Sequence, residues 1–283
     1  MQTKSPMKRI IIIILLIFLV QKAEAQWIDR SEFGVIVGGS NYIGDINPKY
    51  NLYNTNLMVG AIARYNFNPR WVLKASAMFG KVGAYDSDFG NIRNLSFESK
   101  INEIALTCEF NFFDYQTGSR QHRITPYIFG GVGLFWFNPK AKLTDPISLE
   151  KQWVELQPLS TEGQGMEGYS NPYSLAQISF PFGLGLKVSL SKRVCIGLEW
   201  GLRMTLTDYI DDVSKDYVDR DALLTWSGQI GVVAADRTNE IKPGTFHKAG
   251  EMRGNLSVND LYQFFGLTLT TKLNFFKRSC KTF

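Results

Sequence analysis

The sequence VCIGLEWGLRMTLT, at residues 194–207, decides the fold class because its side chains alternate strictly in character. Even-numbered positions are all apolar and include Leu198 and Trp200, whereas odd-numbered positions are small, polar or charged and include Glu199 and Arg203. A period of two is the pattern of a β-strand whose two faces meet different surroundings. The run is also far longer than the roughly five or six residues of most strands in soluble proteins.

Seven further segments show a related pattern, which brings the predicted strands to eight. They are residues 33–39, 57–67, 71–79, 104–112, 127–137, 178–190 and 265–275. The segment at 127–137 is apolar at both parities, so its orientation stays open. Long strands with one apolar and one polar face are typical of transmembrane β-barrels with a polar interior. A soluble barrel with an apolar interior is the alternative, and alternation by itself does not choose between the two.

The connections between these segments favour the membrane barrel, because longer and shorter ones follow each other in turn. Short turns fall near residues 68–69, 115–123 and 191–192, and the long loops surround Asp86, Gln164 and Lys242. Aromatic residues cluster beside the short turns, as an interfacial girdle would. They are Tyr65, Phe67, Trp71, Phe110, Phe112, Phe113, Phe275 and Phe276. The sequence therefore predicts an all-β protein: an eight-stranded antiparallel transmembrane β-barrel of the bacterial outer membrane, with short periplasmic turns and long extracellular loops.

The first 25 residues have the parts of a secretory signal peptide. Lys8 and Arg9 precede an unbroken apolar run at residues 10–20, and Ala23-Glu24-Ala25 follows as a cleavage site. The run is too short for a transmembrane helix, which needs about 20 apolar residues. We expect residues 1–25 to be cleaved and residues 26–283 to form a single barrel domain.

Composition excludes several classes of function. Of the 283 residues, 45% are hydrophobic and 20% charged, which rules out wholesale disorder. The net charge of +5 comes largely from the predicted signal peptide, and the chain has no basic stripe for nucleic acid. The three cysteines lack metal-site spacing, and His122 and His247 are predicted to lie on opposite sides of the bilayer. We therefore expect a non-enzymatic protein without catalytic residues, metal or cofactor.

The polar strand faces place a set of charged side chains in the lumen. This predicted lumen charge network consists of Arg64, Lys74, Glu103, Glu109, Lys187, Glu199, Arg203 and Lys272. Eight strands enclose a space that side chains just fill, so a wide pore is not expected. The charges either neutralise one another in a sealed core or mark a path for protons or ions.

Two loop motifs resemble ligand-binding sequences, but a loop without a ligand is the favoured interpretation of each. The sequence GQGMEG at residues 163–168 matches a dinucleotide-binding pattern but lacks the preceding strand and following helix, which indicates a loop. Six aspartates could bind calcium, but they lack the order of a calcium loop, and a solvated surface is the favoured interpretation. They are Asp208, Asp211, Asp212, Asp216, Asp219 and Asp221.

The predicted periplasmic turns are rich in basic residues. Arg70, Arg120, Arg123, Lys192 and Arg193 form a candidate periplasmic partner surface. A basic rim suits an acidic periplasmic partner. It equally suits anionic lipid head groups, and the sequence does not decide between the two.

Several sequence motifs resemble the PorG-like outer-membrane barrel family of the Bacteroidetes and follow one another along the chain in the same order as in that family. The resemblance runs from about residue 32 to residue 276 and is carried by VGGSNYIGD at 37–45, RYNFNPRW at 64–71, RNLSF at 93–97, EFNFF at 109–113, TPY at 125–127, LQPLSTEGQG at 156–165 and TDYIDDVS at 207–214.

The resemblance implies a component of the type IX protein secretion system, which also supports gliding motility in many species. It implies a non-enzymatic barrel that docks the periplasmic ring of the PorK lipoprotein and PorN to the outer membrane. Outer-membrane lipid is the other expected partner. A barrel that transports a small solute or an ion is the alternative function.

Overall fold

The computed structural model describes residues 30–48, 52, 54–145 and 149–272. The predicted signal peptide at residues 1–25 lies outside these residues, as do Phe275 and Phe276 of the predicted aromatic girdle.

Ten strands and one α-helix make up the described chain. The strands are β1 (Ser31–Ile43), β2 (Asn56–Asn66), β3 (Trp71–Tyr85), β4 (Ser96–Asn111), β5 (Ile124–Trp136), β6 (Pro139–Thr144), β7 (Lys151–Glu155), β8 (Ala176–Ser189), β9 (Val194–Thr205) and β10 (Leu261–Lys272), and the helix is α1 (Arg220–Ala235). Short 3₁₀ helices span Asp86–Phe89, Gln157–Leu159 and Thr238–Glu240.

Eight of the strands close into an antiparallel barrel. They run in the order β3-β2-β1-β10-β9-β8-β5-β4, and β3 also pairs with β4 to complete the circle. Each of these eight strands overlaps one of the eight alternating segments of the sequence, so the predicted fold class is confirmed. Strands β3 and β4 extend further toward the long-loop end than predicted, to Tyr85 and from Ser96. Strands β6 and β7 form a hairpin that the sequence pattern did not predict, and β6 joins the wall only through Glu98 and Ser99 of β4.

The two faces of the wall have the polarity of a barrel in lipid. On β9, Leu198 is 56% exposed to the outside, whereas Glu199 and Arg203 are buried in the lumen. The exposed belt runs around the whole wall and includes Val35, Val37, Val59, Phe79, Ile104, Leu106, Ile128, Val132, Leu134, Phe180, Phe182, Leu184, Met204, Leu267 and Leu269. Such a belt is stable only against hydrocarbon, so the chain is an integral barrel of the outer membrane.

Strand β5, whose orientation the sequence left open, presents aromatic rings to the lumen. Tyr127, Phe129 and Phe135 are buried, while Ile128 and Val132 face outward. Both faces of β5 are apolar because the inner one supplies rings that pack among the lumen charges.

The short-turn end carries the predicted aromatic girdle. Phe67 and Phe113 are exposed, and the ring of Tyr65 packs edge-on against Phe67. Phe110 contacts both Trp71 and Phe112 within 6 Å between ring centroids. The short turns mark this end as periplasmic, and the aromatic rings mark it as a membrane interface.

The long loops, the β6–β7 hairpin and α1 fold over the opposite end as an extracellular cap. Their buried apolar residues continue the upper core of the barrel, with Ile46, Leu143 and Ile210 packed alongside Phe97. Asp219 caps α1 by accepting a hydrogen bond from the amide of Ala222. No helix in the described ranges has the length and apolar character needed to cross a membrane.

Candidate functional site

The lumen of the barrel gathers seven of the eight charged residues that strand parity predicts there. Arg64, Lys74, Glu103, Glu109, Lys187, Glu199 and Arg203 are all buried and ion-paired. Their side chains are at most 3% exposed. Each lies at the inward parity of its strand, because successive side chains alternate across the wall.

A lower cluster joins three cations to two carboxylates. Arg64 lies 3.1 Å from Glu109, and Lys74 lies 2.7 Å from Glu199. Lys187 also donates to Glu109, so that this one carboxylate contacts all three cations. The bonds cross the lumen between distant strands and therefore tie β2, β3, β4, β8 and β9 together.

Aromatic rings complete the lower cluster. The hydroxyl of Tyr127 donates to Glu199 at 2.7 Å, and the ammonium of Lys187 lies 4.3 Å from the centroid of the same ring. Lys74 is placed similarly over Phe129, at 4.1 Å. Cations over ring faces are attracted by the ring quadrupole, most strongly where water is excluded.

The ring of Tyr127 has room to lie across the lumen because strand β8 carries a glycine beneath it. A Cβ atom at Gly185 would come within 2.4 Å of the Tyr127 ring. Small residues on the polar strand faces thus leave the space that these aromatic side chains occupy.

An upper cluster pairs Arg203 with Glu103. The guanidinium lies 3.4 Å from the carboxylate and 4.5 Å from the centroid of Phe264. Tyr262 donates to Glu103 at 2.6 Å, and Ser179 donates at 3.3 Å.

Glu32 is the lumen residue that sequence reasoning missed. It is buried near the short-turn end and accepts hydrogen bonds from Thr117 at 2.6 Å and Thr270 at 3.1 Å. Lys272, the eighth predicted residue, lies opposite Glu32 in the register of β1 and β10. Lys272 is only half-buried and forms no ion pair with a described residue, so it stands at the rim of the network.

With Glu32 included, the buried wall residues hold four basic and four acidic side chains. A neutral, hydrogen-bonded set is what a low-dielectric interior tolerates, since an unpaired charge there is costly. The arrangement favours the sealed-core interpretation over a path for ions.

The extracellular cap contains a second buried network, centred on Arg253. Its guanidinium donates to Glu162 at 2.9 Å and to the carbonyl of Ala235 at 3.1 Å. Arg93 connects this centre to Asp86 through a 2.9 Å ion pair and also donates to the carbonyl of Arg253.

The loop at residues 163–168 delivers Glu162 into this network. Gly163, Gly165 and Gly168 all have positive φ, and no strand or helix adjoins them as a dinucleotide site requires. The prediction of a loop is confirmed, but the loop start is buried and structural, not freely solvated.

The solvated-surface interpretation of the aspartate set is wrong for three of its six members. Asp208, Asp211 and Asp212 are buried, whereas Asp216, Asp219 and Asp221 are exposed. Asp212 accepts hydrogen bonds from Tyr173 at 2.6 Å and from Thr161. Burial raises its pKa to about 6 against the opposing effect of Arg253. The buried aspartates follow β9 directly, where the chain turns into the cap, and no periodicity marks such burial in the sequence.

Asp211 and Asp260 share the phenol of Tyr42. The Tyr42 oxygen lies 2.5 Å from Asp211 and 2.6 Å from Asp260. A phenol has one proton to donate, so the second short contact needs a proton on a carboxyl group. Burial raises the pKa of both aspartates, which is consistent with one of them staying protonated.

The histidines and cysteines of the described residues do not belong to a cluster of metal ligands. No group of three or more His, Cys, Asp or Glu side chains in this part of the chain is arranged to hold a metal ion. His122 lies exposed on a periplasmic turn, while His247 in the cap stacks on Tyr217 and contacts Asp236. Cys108 faces outward and Cys195 inward, as their parity predicts.

The candidate periplasmic partner surface lies on the short turns. Arg70, Arg120, Arg123, Lys192 and Arg193 are all exposed there. Arg70 forms a 2.7 Å ion pair with Asp114, and the other four side chains make no ion pair with a described residue.

Comparison with known proteins identifies the family. The family model described as "Domain of unknown function (DUF6089)" matches residues 8–156, just over half of the chain. The chain belongs to the DUF6089 family. The match covers β1 to β7, and therefore includes the lumen residues Arg64, Lys74, Glu103 and Glu109. A search of curated proteins finds no match.

Several solved structures of bacterial surface and outer-membrane proteins are similar to this DUF6089 chain. Neisserial surface protein A is 9% identical with a TM-score of 0.43, over 86% of this chain and 97% of that one. The attachment invasion locus protein Ail of Yersinia pestis, in complex with the heparin analogue sucrose octasulfate, is 11% identical with a TM-score of 0.38, over 85% and 96%. OprG of Pseudomonas aeruginosa is 10% identical with a TM-score of 0.36, over 88% and 99%. The barrel topology of this chain follows from its own strand pairing.

Proposed function

We propose that this barrel is a non-enzymatic component of the type IX protein secretion system and docks the periplasmic PorK/PorN ring to the outer membrane. The resemblance to the PorG-like family suggests the system. The observation that carries the docking role is the exposed basic surface on the periplasmic turns, four of whose five members lack an acidic partner among the described residues.

The proposed interaction is electrostatic. Arg120 and Arg123 on one turn and Lys192 and Arg193 on the next present positive charge to the periplasm. The two turns touch, because the amide of Gly118 donates to Ser189 at 2.9 Å. Exposed charges of one sign steer an oppositely charged partner and fix its orientation.

The filled lumen supports docking over conduction. Cargo or solute would have to displace Arg64, Lys74 and their carboxylates, which are fully buried and mutually paired. A barrel with such an interior would serve an assembly by binding a partner at its surface and by anchoring that partner to the membrane.

The test is a charge reversal on the first turn, Arg120→Glu with Arg123→Glu, in the full-length chain expressed in its native host. We expect co-purification of the PorK/PorN ring and export of cargo to fall by about tenfold, since four units of charge change at a steered interface. Both side chains are exposed, so the barrel should still assemble and keep its heat-modifiable mobility on gels.

The matched control reverses two exposed lysines of the extracellular cap, Lys242→Glu with Lys248→Glu. This variant changes the net charge equally and should export cargo normally. Full ring recovery and normal export in the Arg120/Arg123 variant would contradict the docking role.

A further inference from the structure

A cleft of about 560 Å³ opens on the outer surface of the barrel, between the wall and the β6–β7 hairpin. Two tryptophans and three lysines line it, namely Trp136, Trp153, Lys81, Lys100 and Lys140. We call it the lysine–tryptophan cleft. It lies outside the lumen and the cap networks described above.

The strand register fixes the height of this cleft above the membrane. Ile104 pairs with Ala77 on one side and Leu134 on the other, and this rung belongs to the exposed apolar belt. One rung higher, Asn102 pairs with Trp136, and one rung above that Lys100 pairs with Lys81. Each rung adds roughly 7 Å along the strand, so tryptophan and then lysine follow the hydrocarbon edge. This is the order of an interface with outer-leaflet head groups.

Two lysines at the cleft lie side by side although their positive charges repel each other. Lys81 and Lys100 are direct cross-strand neighbours on the outer face, and like charges so placed destabilise a sheet. Glu98 neutralises only Lys81, at 2.7 Å. Lys100 forms no ion pair with any residue that the structure describes.

The hairpin repeats the pattern on the other side of the cleft. Lys140 is paired with Glu155 at 2.7 Å, while Lys142 forms no ion pair within the described ranges. Lys142 is exposed and lies directly opposite Trp153 in the register of β6 and β7. Lys142 is two residues from Lys140 and therefore lies on the same face of the hairpin, beside the cleft. Lys100, Trp136 and Trp153 line the cleft itself, and Lys142 adds a second unpaired lysine at its edge.

We propose that the lysine–tryptophan cleft binds a phosphorylated glycolipid of the outer leaflet. Lys100 and Lys142 supply the positive charge that a phosphate monoester requires, and an ammonium donates up to three hydrogen bonds to its oxygens. Trp136 and Trp153 offer flat apolar faces to the sugar rings. The acyl chains continue downward along the apolar belt past Leu134.

Charge complementarity and position together select this occupant. A soluble anion would use the lysines but gain nothing from the tryptophans or from the belt below. A lipid with a phosphorylated sugar head group uses all three features at their observed heights, and lysine clusters at the membrane surface bind such anionic head groups.

The experiment measures binding of lipid A by native mass spectrometry to the purified full-length chain in detergent. The probes are lipid A with its phosphates and the same lipid A after enzymatic dephosphorylation. We expect the phosphorylated form to bind at least about tenfold more tightly. The variant Lys100→Glu with Lys142→Glu should lose that preference, and Trp153→Ala should weaken both forms.

The variant Lys242→Glu with Lys248→Glu, which carries the same charge change on the cap, serves as the control and should bind like the wild type. Gel mobility before and after heating verifies that every variant is folded. Equal binding of both lipid A forms would overturn the proposal. Unchanged binding by the Lys100/Lys142 variant, or displacement of lipid A by inorganic phosphate at equal concentration, would also overturn it.

Discussion

The buried carboxyl group of Asp208 makes the extracellular cap sensitive to pH. Asp208 is only 7% exposed, and neither of its carboxylate oxygens has a hydrogen-bond partner in the described structure. Burial, with help from the charges of Asp45 and Glu162, raises its pKa to about 8 from an ordinary value of 3.8. The folded cap therefore holds a proton that the unfolded loop releases above about pH 4.

The sign of the effect follows from that proton. A raised folded-state pKa stabilises the cap fully below about pH 4, and the contribution is lost as the pH rises through about 8. We expect hydrogen–deuterium exchange of residues 206–216, corrected for intrinsic rate, to be faster at about pH 9 than at about pH 5. Asp208→Asn should weaken this dependence and leave the part that comes from the raised pKa of Asp212, and Asp216→Asn, at an exposed position in the same loop, should leave it intact. Equal exchange at both pH values in the wild type would refute the prediction.

Individual lumen residues could be predicted from sequence where a strand alternates cleanly. Parity placed Glu199 and Arg203 correctly, because both lie inside an unbroken alternating run. Glu32 was missed because the recognisable alternation begins one residue later, at Phe33, while the backbone pairing extends to Ser31. Asp208 was assigned to the surface because its burial depends on loops that are distant in sequence.

At the scale of the element, strand β8 shows how glycines shape the lumen. Replacing Gly185 by valine would push side-chain atoms into the ring of Tyr127, whose hydroxyl donates to Glu199. Overpacking of this kind costs about 1–3 kcal/mol. We expect Gly185→Val to lower the temperature at which the barrel loses its compact gel mobility.

Gly130→Val is the control for that substitution. Gly130 lies on the outer face of β5, and a Cβ atom there meets nothing within 4 Å. The control should leave the transition temperature unchanged. If both variants melt like the wild type, the lumen is not packed tightly around Tyr127.

The barrel strands could be predicted as elements, but the cap elements could not. A wall strand must keep one face toward lipid and one toward the lumen, which imposes a period of two over its length. The β6–β7 hairpin has short strands, and its inner face packs against loops through Leu143. Helix α1 is interrupted at Gly228, whose φ is 70°, so it lacks a sustained helical period.

At the scale of the whole molecule, charge is separated into three zones. The lumen holds equal numbers of buried acids and bases, the periplasmic turns are basic, and the outer face carries lysines just above the apolar belt. Of these three zones, the lumen is the one whose buried acids and bases are equal in number. The periplasmic turns and the outer face retain cations without an ion-pair partner among the described residues. An external anion can therefore bind favourably in these two zones.

The neutral lumen leads to a prediction about conductance. In an eight-stranded barrel the interior is just wide enough for side chains, and here Arg64, Lys74 and Glu109 are fully buried in it. Moving an ion through would require breaking buried pairs, each costing about 3–5 kcal/mol when one partner is lost. We therefore expect the purified chain to produce no current steps in planar bilayers, as in a detergent-only control. Steps that grow with salt concentration and change in Glu199→Gln would contradict the sealed lumen. Because Glu199 holds Lys74 and Tyr127 across the lumen, that result would mean that the network opens, and it would favour transport of a small ion as the function.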